Sequence, residues 1–315
     1  MSAGRNTAAR RRNLRCAERG GDCLEGLILK GVGSFYTVLD AQGAEHVCKA
    51  RGRFRKEHVT PVPGDRVSFS HNAGEEGSIA EILPRRNLLT RPAVANVDKL
   101  MVVMAASVPR PDLLLVDKLL LQCEQAGIAP VLVLNKCDER DEAMFDAILA
   151  QYAGTGYALY AVSAHSEEGL ENLRTEIAGN VCCFAGQSAV GKSSLLNALL
   201  PELSLAVGGL SRKTERGKHT TRHAELWIAY DGALVDTPGF SLLEADAIEP
   251  ETLSSFYPEM RERAKECRFA KCLHASEPDC AVKPLLESGT LSMERYERYL
   301  MILKELKEKR KHKYD

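Results

Sequence analysis

The sequence predicts a three-part α/β protein: a small β-barrel, then a mostly parallel α/β domain, then a helical, cysteine-bearing end. Three observations lead there. Short strand-like runs punctuated by Gly, Pro and Asp open the chain, apolar runs alternating with amphipathic helices follow from about residue 99, and a compact Cys/His set stands near the end. The corresponding domain expectation is a basic flexible tail at 1–24, a barrel at 25–88, the α/β domain at 89–245 and the helical domain at 246–315.

In the first domain, strands are expected at 27–39, 47–54, 65–70 and 78–83, divided by Gly31, Gly33, the run Asp40-Ala41-Gln42-Gly43 and the run Pro61-Val62-Pro63-Gly64. Phe35, Tyr36, Phe54 and Phe69 lie near Arg51, Arg53, Arg55 and Lys56. Two readings stand: the rings stack nucleobases while the cations hold phosphates, or the rings fill the barrel. In the second domain, strands are expected at 100–106, 131–134, 157–162, 181–185 and 233–235, with helices at 113–125, 141–152, 170–177 and 193–200. Cys182 and Cys183 read as buried strand residues.

Composition excludes several classes. With 315 residues, 44% hydrophobic, 27% charged and a net charge of -1, the chain is ordinary globular material. No run of about 18 apolar residues offers a membrane span. The first twenty residues are rich in Arg but lack the apolar run of a secretory signal, so a soluble cytoplasmic protein is expected, a short organellar transit segment being the alternative. Ten cysteines then point to free thiols and metal ligands rather than disulfides. Basic residues gather in the tail, at 51–56, at 212–223 and at 307–313, as solvated charge or as contacts to phosphate backbones.

The strongest motif is Gly186-Gln187-Ser188-Ala189-Val190-Gly191-Lys192-Ser193, placed after an apolar strand and opening a helix through Ser194. Its glycines let backbone N–H groups wrap the α- and β-phosphates, and the helix N-terminus adds positive potential. Lys192 is expected to reach the β- and γ-phosphates and serve the reaction, while the Ser193 hydroxyl ligates Mg²⁺. Asn135-Lys136-Cys137-Asp138 follows another apolar strand. The Asp138 carboxylate matches the paired donors on the edge of guanine, which adenine lacks. Asn135 bonds the base and braces the phosphate loop, the Lys136 stem lies along the ring, and the Ala164 N–H after Ser163 is expected near the guanine oxygen. Asp236-Thr237-Pro238-Gly239 fits the segment where Asp236 holds Mg²⁺ through water and the Gly239 N–H meets the γ-phosphate. Thr220, in Gly217-Lys218-His219-Thr220-Thr221, offers a further Mg²⁺ ligand.

These are the motifs of a GTPase in a permuted order, the guanine-reading segment preceding the phosphate loop. A sheet fixes their places in space, and chain order only changes which strands are joined. Cys267, Cys272, His274 and Cys280 form a Cys-x₄-Cys-x-His-x₅-Cys set. Three thiolates and an imidazole complete a tetrahedron around one structural zinc ion, with no position left for a catalytic water.

Over about residues 25 to 300 the chain resembles the small ribosomal subunit-dependent GTPase A family (RsgA/YjeQ). The resemblance rests on the permuted order, the P-loop followed by Gly-Lys-His-Thr-Thr, Asp-Thr-Pro-Gly, the stretch Arg91-Pro92-Ala93-Val94-Ala95-Asn96-Val97-Asp98 and the Cys-Cys-His-Cys set. It implies an N-terminal OB-fold barrel that binds RNA, a circularly permuted P-loop GTPase domain and a C-terminal zinc-binding helical domain. It also implies binding to the small ribosomal subunit and its rRNA late in assembly, GTP hydrolysis stimulated there, and a monomer. Two residues depart from expectation. Ala189 stands where the family commonly has glycine, and Phe240 stands where many small GTPases carry a water-orienting glutamine. His219 is the candidate to position water instead. The alternatives are a nucleotide-gated RNA-binding assembly module in which turnover is secondary, and a P-loop kinase with an incidental Asn-Lys-x-Asp.

Overall fold

The computed structural model describes residues 23–52, 54, 57, 59–71, 76–90, 92–203, 224–236 and 248–314. The basic tail at 1–22, Arg53, Arg55, Lys56 and Arg91, the run 204–223 with His219 and Thr220, and the run 237–247 with Gly239 and Phe240 lie outside the described residues. The chain divides into two compact units, residues 1–98, 177–183 and 215–239 against residues 99–176, 184–214 and 240–315.

The first unit opens with five strands: β1 (Cys23–Val32), β2 (Phe35–Asp40), β3 (Glu45–Ala50), β4 (Arg66–Ser70) and β5 (Gly77–Ile82). β1 pairs antiparallel with both β2 and β4, β2 with β3, and β4 with β5, while β3 and β5 run parallel. The ring therefore closes, leaving no free sheet edge in the barrel. The single strand expected over 27–39 is two strands, because Gly33 at φ 62° reverses the chain between Val32 and Phe35. Ile28, Val38, Cys48, Val67, Phe69 and Ile79 form the interior.

Three of the four aromatics join that interior: Tyr36, Phe54 and Phe69 are buried, so for them the filling reading holds and the stacking reading fails. Strand alternation explains the split, since Phe35 precedes an inward Tyr36 and must face out. Phe35 is 40% exposed, with Lys49 Nζ 4.7 Å from its ring centroid.

A hairpin of β6 (Leu88–Thr90) and β7 (Ala93–Ala95) follows, and the turn before β4 is clamped against it. The Ala95 N–H donates to Pro63 O, and Asn96 Nδ2 donates to Gly64 O, both at 2.9 Å. Behind the turn, buried Asp65 accepts both Arg85 Nε at 2.7 Å and Arg85 Nη2 at 2.8 Å. Gly64 sits at φ 86°, and a Cβ there would run into Ala95 O. Gly64→Ala is expected to destabilise the barrel by about 2 kcal/mol or more, from left-handed strain plus the collision, read as a lower urea midpoint.

The second unit carries parallel strands β8 (Lys99–Ala105), β9 (Ala129–Asn135) and β10 (Ala158–Ala161), in the order β10-β9-β8. β8 and β9 are near-continuously buried, the pattern of strands covered on both faces. The helices are α1 (Leu113–Ala126), α2 (Glu142–Tyr152) and α3 (Leu170–Ile177). Asp112 caps α1 by accepting the Leu115 N–H at 3.0 Å, and Asp141 caps α2 by accepting the Met144 N–H at 3.1 Å.

β11 (Val181–Ala185) starts in the first unit beside Asp98, which donates its N–H to Val181 O and accepts the Val181 N–H on its side chain. β12 (Glu225–Ala229) and β13 (Gly232–Asp236) form an antiparallel hairpin, and β13 runs parallel to β11. β12 is an antiparallel addition to the parallel arrangement expected from sequence, and it pairs with β1 at Lys30 and Glu225. α4 (Lys192–Leu199) leaves the phosphate loop. The C-terminal part holds α5 (Pro258–Ala264), α6 (Pro284–Glu287) and the long α7 (Met293–Tyr314), around a core that includes Leu253, Met260, Val282, Leu291 and Tyr299. Among the described residues, no helix is long and apolar enough to cross a membrane.

Candidate nucleotide site and metal centre

Four loops of the second unit meet at the ends of its strands. β11 ends at Ala185, and Gly186 follows at φ 137°, where a Cβ would strike Val103 O. Gly191, at φ 93°, caps α4, and a Cβ there would strike the Asn135 amide. Both glycines are therefore required by close approach as well as by backbone angle. Ala189 adopts φ 64° with its side chain exposed, so the position demands the left-handed region that glycine enters without strain. Ser188 and Ser193 are exposed, Ser194 is half-buried, and Val190 is fully buried beneath the loop. Lys192 Nζ donates to Gly186 O at 2.8 Å and Gln187 O at 2.6 Å. Burial holds its ammonium below the ordinary lysine range, the environment of a cation in want of an anionic partner.

Asn135 ties three of the motifs together. The residue is 1% exposed, and its side chain donates from Nδ2 to Val190 O at 2.9 Å and accepts the Ala164 N–H on Oδ1 at 3.1 Å. The Ala164 N–H, expected toward a base oxygen, is thus turned to the Asn135 side chain. Lys136 takes φ 65° and donates from Nζ to Val108 O at 2.6 Å. The Cys137 N–H donates to Val162 O and its thiol to Leu134 O. Asp138 is exposed, and a hydrogen bond from the Ser163 hydroxyl holds its carboxyl below the usual range. It is ionised, and so acceptor-only, at neutral pH. Ser163 itself is buried and accepts the N–H groups of His165 and Ser166, which fixes the turn carrying Ala164. Asp236 ends β13, opposite Glu225 on β12.

The sequence reading missed the segment between β8 and α1. Val108 O receives Lys136, and the Asp112 N–H donates to Gln187 Oε1 at 3.1 Å, so this segment touches both the loop at 135–138 and the glycine-rich loop at 186–191. The available signal was Asp112 itself, an N-cap residue directly before the apolar run Leu113-Leu114-Leu115-Val116.

Two family models match the chain: the RsgA GTPase model over residues 82–246 and the RsgA N-terminal domain over residues 25–79. A Geobacillus thermodenitrificans protein named small ribosomal subunit biogenesis GTPase RsgA is 44% identical over 289 residues, covering 91% of this chain and 98% of its own. The chain belongs to the RsgA GTPase family. A Ruminiclostridium cellulolyticum RsgA is likewise 44% identical over 287 residues, with 90% and 94% covered. Among solved structures, YjeQ from Thermotoga maritima superposes with a TM-score of 0.79 at 35% identity, covering 90% of this chain and 99% of its own. YloQ, described as a circularly permuted GTPase, gives 0.78 at 36% identity, with 91% and 96% covered. The permuted α/β fold with its N-terminal barrel is thus the fold of RsgA.

The C-terminal cluster brings Cys267, Cys272, His274 and Cys280 together, with their ligand atoms all within 4.8 Å of one another. Cys267 Sγ lies 3.9 Å from Cys280 Sγ, and His274 Nδ1 lies 3.5 Å and 3.4 Å from those two sulfurs. A tetrahedral ion with ligands at about 2.3 Å (S) and about 2.0 Å (N) separates its donors by about 3.5 to 3.8 Å. The set therefore fits one metal ion. His274 Nε2 pairs with Ser254 Oγ at 3.1 Å, which leaves Nδ1 facing the sulfurs. Burial lowers the His274 pKa, favouring the neutral ring that ligates, and burial first, then its neighbouring cysteines, pushes the Cys272 thiol up to about 12. Loading a metal here must release protons. The loop is gripped from α7: the Tyr296 hydroxyl donates to His274 O at 2.7 Å, and the Tyr299 hydroxyl donates to Leu273 O at 2.9 Å.

Proposed function

We propose that this chain hydrolyses GTP to GDP and phosphate while bound to the small ribosomal subunit late in its assembly, and that the subunit accelerates the step. The observation carrying the nucleotide reading is the Asn135 side chain, which joins the loop of Asp138 to Val190 of the phosphate loop and to Ala164. Base recognition and phosphate binding are thereby held in one rigid arrangement. Asp138 accepts two hydrogen bonds from guanine, and residues 186–194 wrap the phosphates with Lys192 turning from its loop carbonyls to phosphate oxygens. By their sequence motifs, Ser193, Thr220 and Asp236 would be the residues to hold Mg²⁺, which would neutralise phosphate charge. Phe240 cannot orient water, which leaves His219 or a ribosomal group to do so and makes turnover by the protein alone slow.

The four C-terminal ligands hold one structural zinc ion, which supplies folding energy rather than chemistry. The relatives' names support the small subunit as partner, and on the barrel the exposed Phe35 under Lys49 offers a ring and a cation to rRNA. The chain is expected to act as a cytoplasmic monomer. Sedimentation with purified small subunits tests the partner: retention with a non-hydrolysable GTP analogue, and release with GDP, is expected. Equal retention with either nucleotide would contradict a nucleotide-controlled partner, while nucleotide-dependent retention without any acceleration of hydrolysis by subunits would favour the alternative, a nucleotide-gated RNA-binding assembly module whose turnover is secondary.

A further inference from the structure

The phosphate loop and the C-terminal helix both hold the same helix, α1. At its N-terminus the Asp112 N–H donates to Gln187 Oε1 of the phosphate loop at 3.1 Å, while the Asp112 side chain caps the helix through the Leu115 N–H at 3.0 Å. Five residues on, about 7.5 Å along the axis, Asp117 is 1% exposed in the otherwise apolar run Leu113 to Leu121, interrupted also by Lys118. Its carboxylate is bonded by Arg295 Nη1, by Arg298 Nε at 2.5 Å and by the Tyr152 hydroxyl at 2.9 Å. Arg295 in turn bonds Glu259 of α5, and its guanidinium lies 5.1 Å from the Tyr152 ring centroid and 4.8 Å from that of Tyr257. A further pair, Lys118 to Glu305 at 2.9 Å, joins the next residue of α1 to the next turns of α7.

Burying two acids and two arginines gains little net stability over an apolar core of the same shape, because desolvation cancels the attraction. What directional charge pairs provide is register. They fix the rotation and axial position of α1 in a way that leucines, which tolerate sliding, do not. A rigid helix carries that position to Asp112.

We propose that Asp117, Arg295 and Arg298 are positioning residues for the phosphate loop: through α1 and the Asp112 N–H they set Gln187, and so the loop that binds the nucleotide. The C-terminal helix thereby tunes nucleotide affinity without touching nucleotide. This rests on the nucleotide reading above.

The test is a double-mutant cycle on affinity for a fluorescent GDP analogue, using the full chain and checking each variant by circular dichroism and metal content. Asp117→Asn and Gln187→Ala should each weaken binding by about five- to twentyfold, and the double variant should lose no more than the larger single loss, since both cut one connection. Should Asp117→Asn fail to fold, Arg298→Lys, which keeps the charge but not the Nε contact, replaces it in the cycle with the same expectation. Losses that multiply, or folded single variants with unchanged affinity, overturn the strut. Failure of the unsubstituted chain to bind the analogue removes the nucleotide site itself, and the strut with it.

Discussion

Asp138→Ala is expected to weaken GTP and GDP binding by about 100-fold or more while leaving weak ATP binding unchanged. The carboxylate is exposed, held ionised by the Ser163 hydroxyl, and lies three residues after Asn135, which braces the phosphate loop through Val190. Two hydrogen bonds to a charged acceptor contribute about 1.5–3 kcal/mol each, and every 1.4 kcal/mol is about tenfold in affinity. The substitution removes both and leaves the guanine donors unpaired. Because Asp138 is at the surface and its removal costs only the hydrogen bond from the Ser163 hydroxyl, the protein should melt at most slightly earlier, by about 1 kcal/mol. Isothermal titration with GDP and ATP, beside a melting curve, checks this, and an unchanged GDP affinity would remove Asp138 from base recognition.

The second large effect concerns the metal. Cys280→Ser, or a strong chelator, is expected to release the ion and unfold the C-terminal part ahead of the rest. Cys272 and Cys280 are themselves part of the hydrophobic core with Val282, Leu285 and Tyr299, so the loop and the core form together. Structural zinc sites contribute about 10–16 kcal/mol in small domains at neutral pH, more than a helical segment of this size can replace by packing. The melt should split in two, with an early loss of helical signal and a metal content below one ion per chain. A single unchanged transition after metal removal would contradict a structural role.

Much of this was legible because it follows from local rules. The unbroken apolar runs of β8 and β9, the glycine-rich loop between strand and helix, and the Cys/His spacing each carry their chemistry in adjacent residues. The barrel's rings were less so: Phe35 and Tyr36 are neighbours in sequence, and only the pairing of β1 with β2 decides which faces inward. The link between Asp117 and Arg295 spans 178 residues, so no local pattern announces it, although an acid inside the mostly apolar run Leu113 to Leu121 was its trace. The segment from Val108 to Asp112 likewise acts through backbone groups, which sequence does not display.

The most direct measurement is phosphate release from GTP and from ATP by the purified chain, with and without purified small ribosomal subunits. A GTPase switched on by its assembly partner shows slow, GTP-selective release that rises sharply when subunits are added. Equal use of ATP would contradict the guanine site built on Asn135 and Asp138, and a GTP rate indifferent to subunits would contradict the proposed partner.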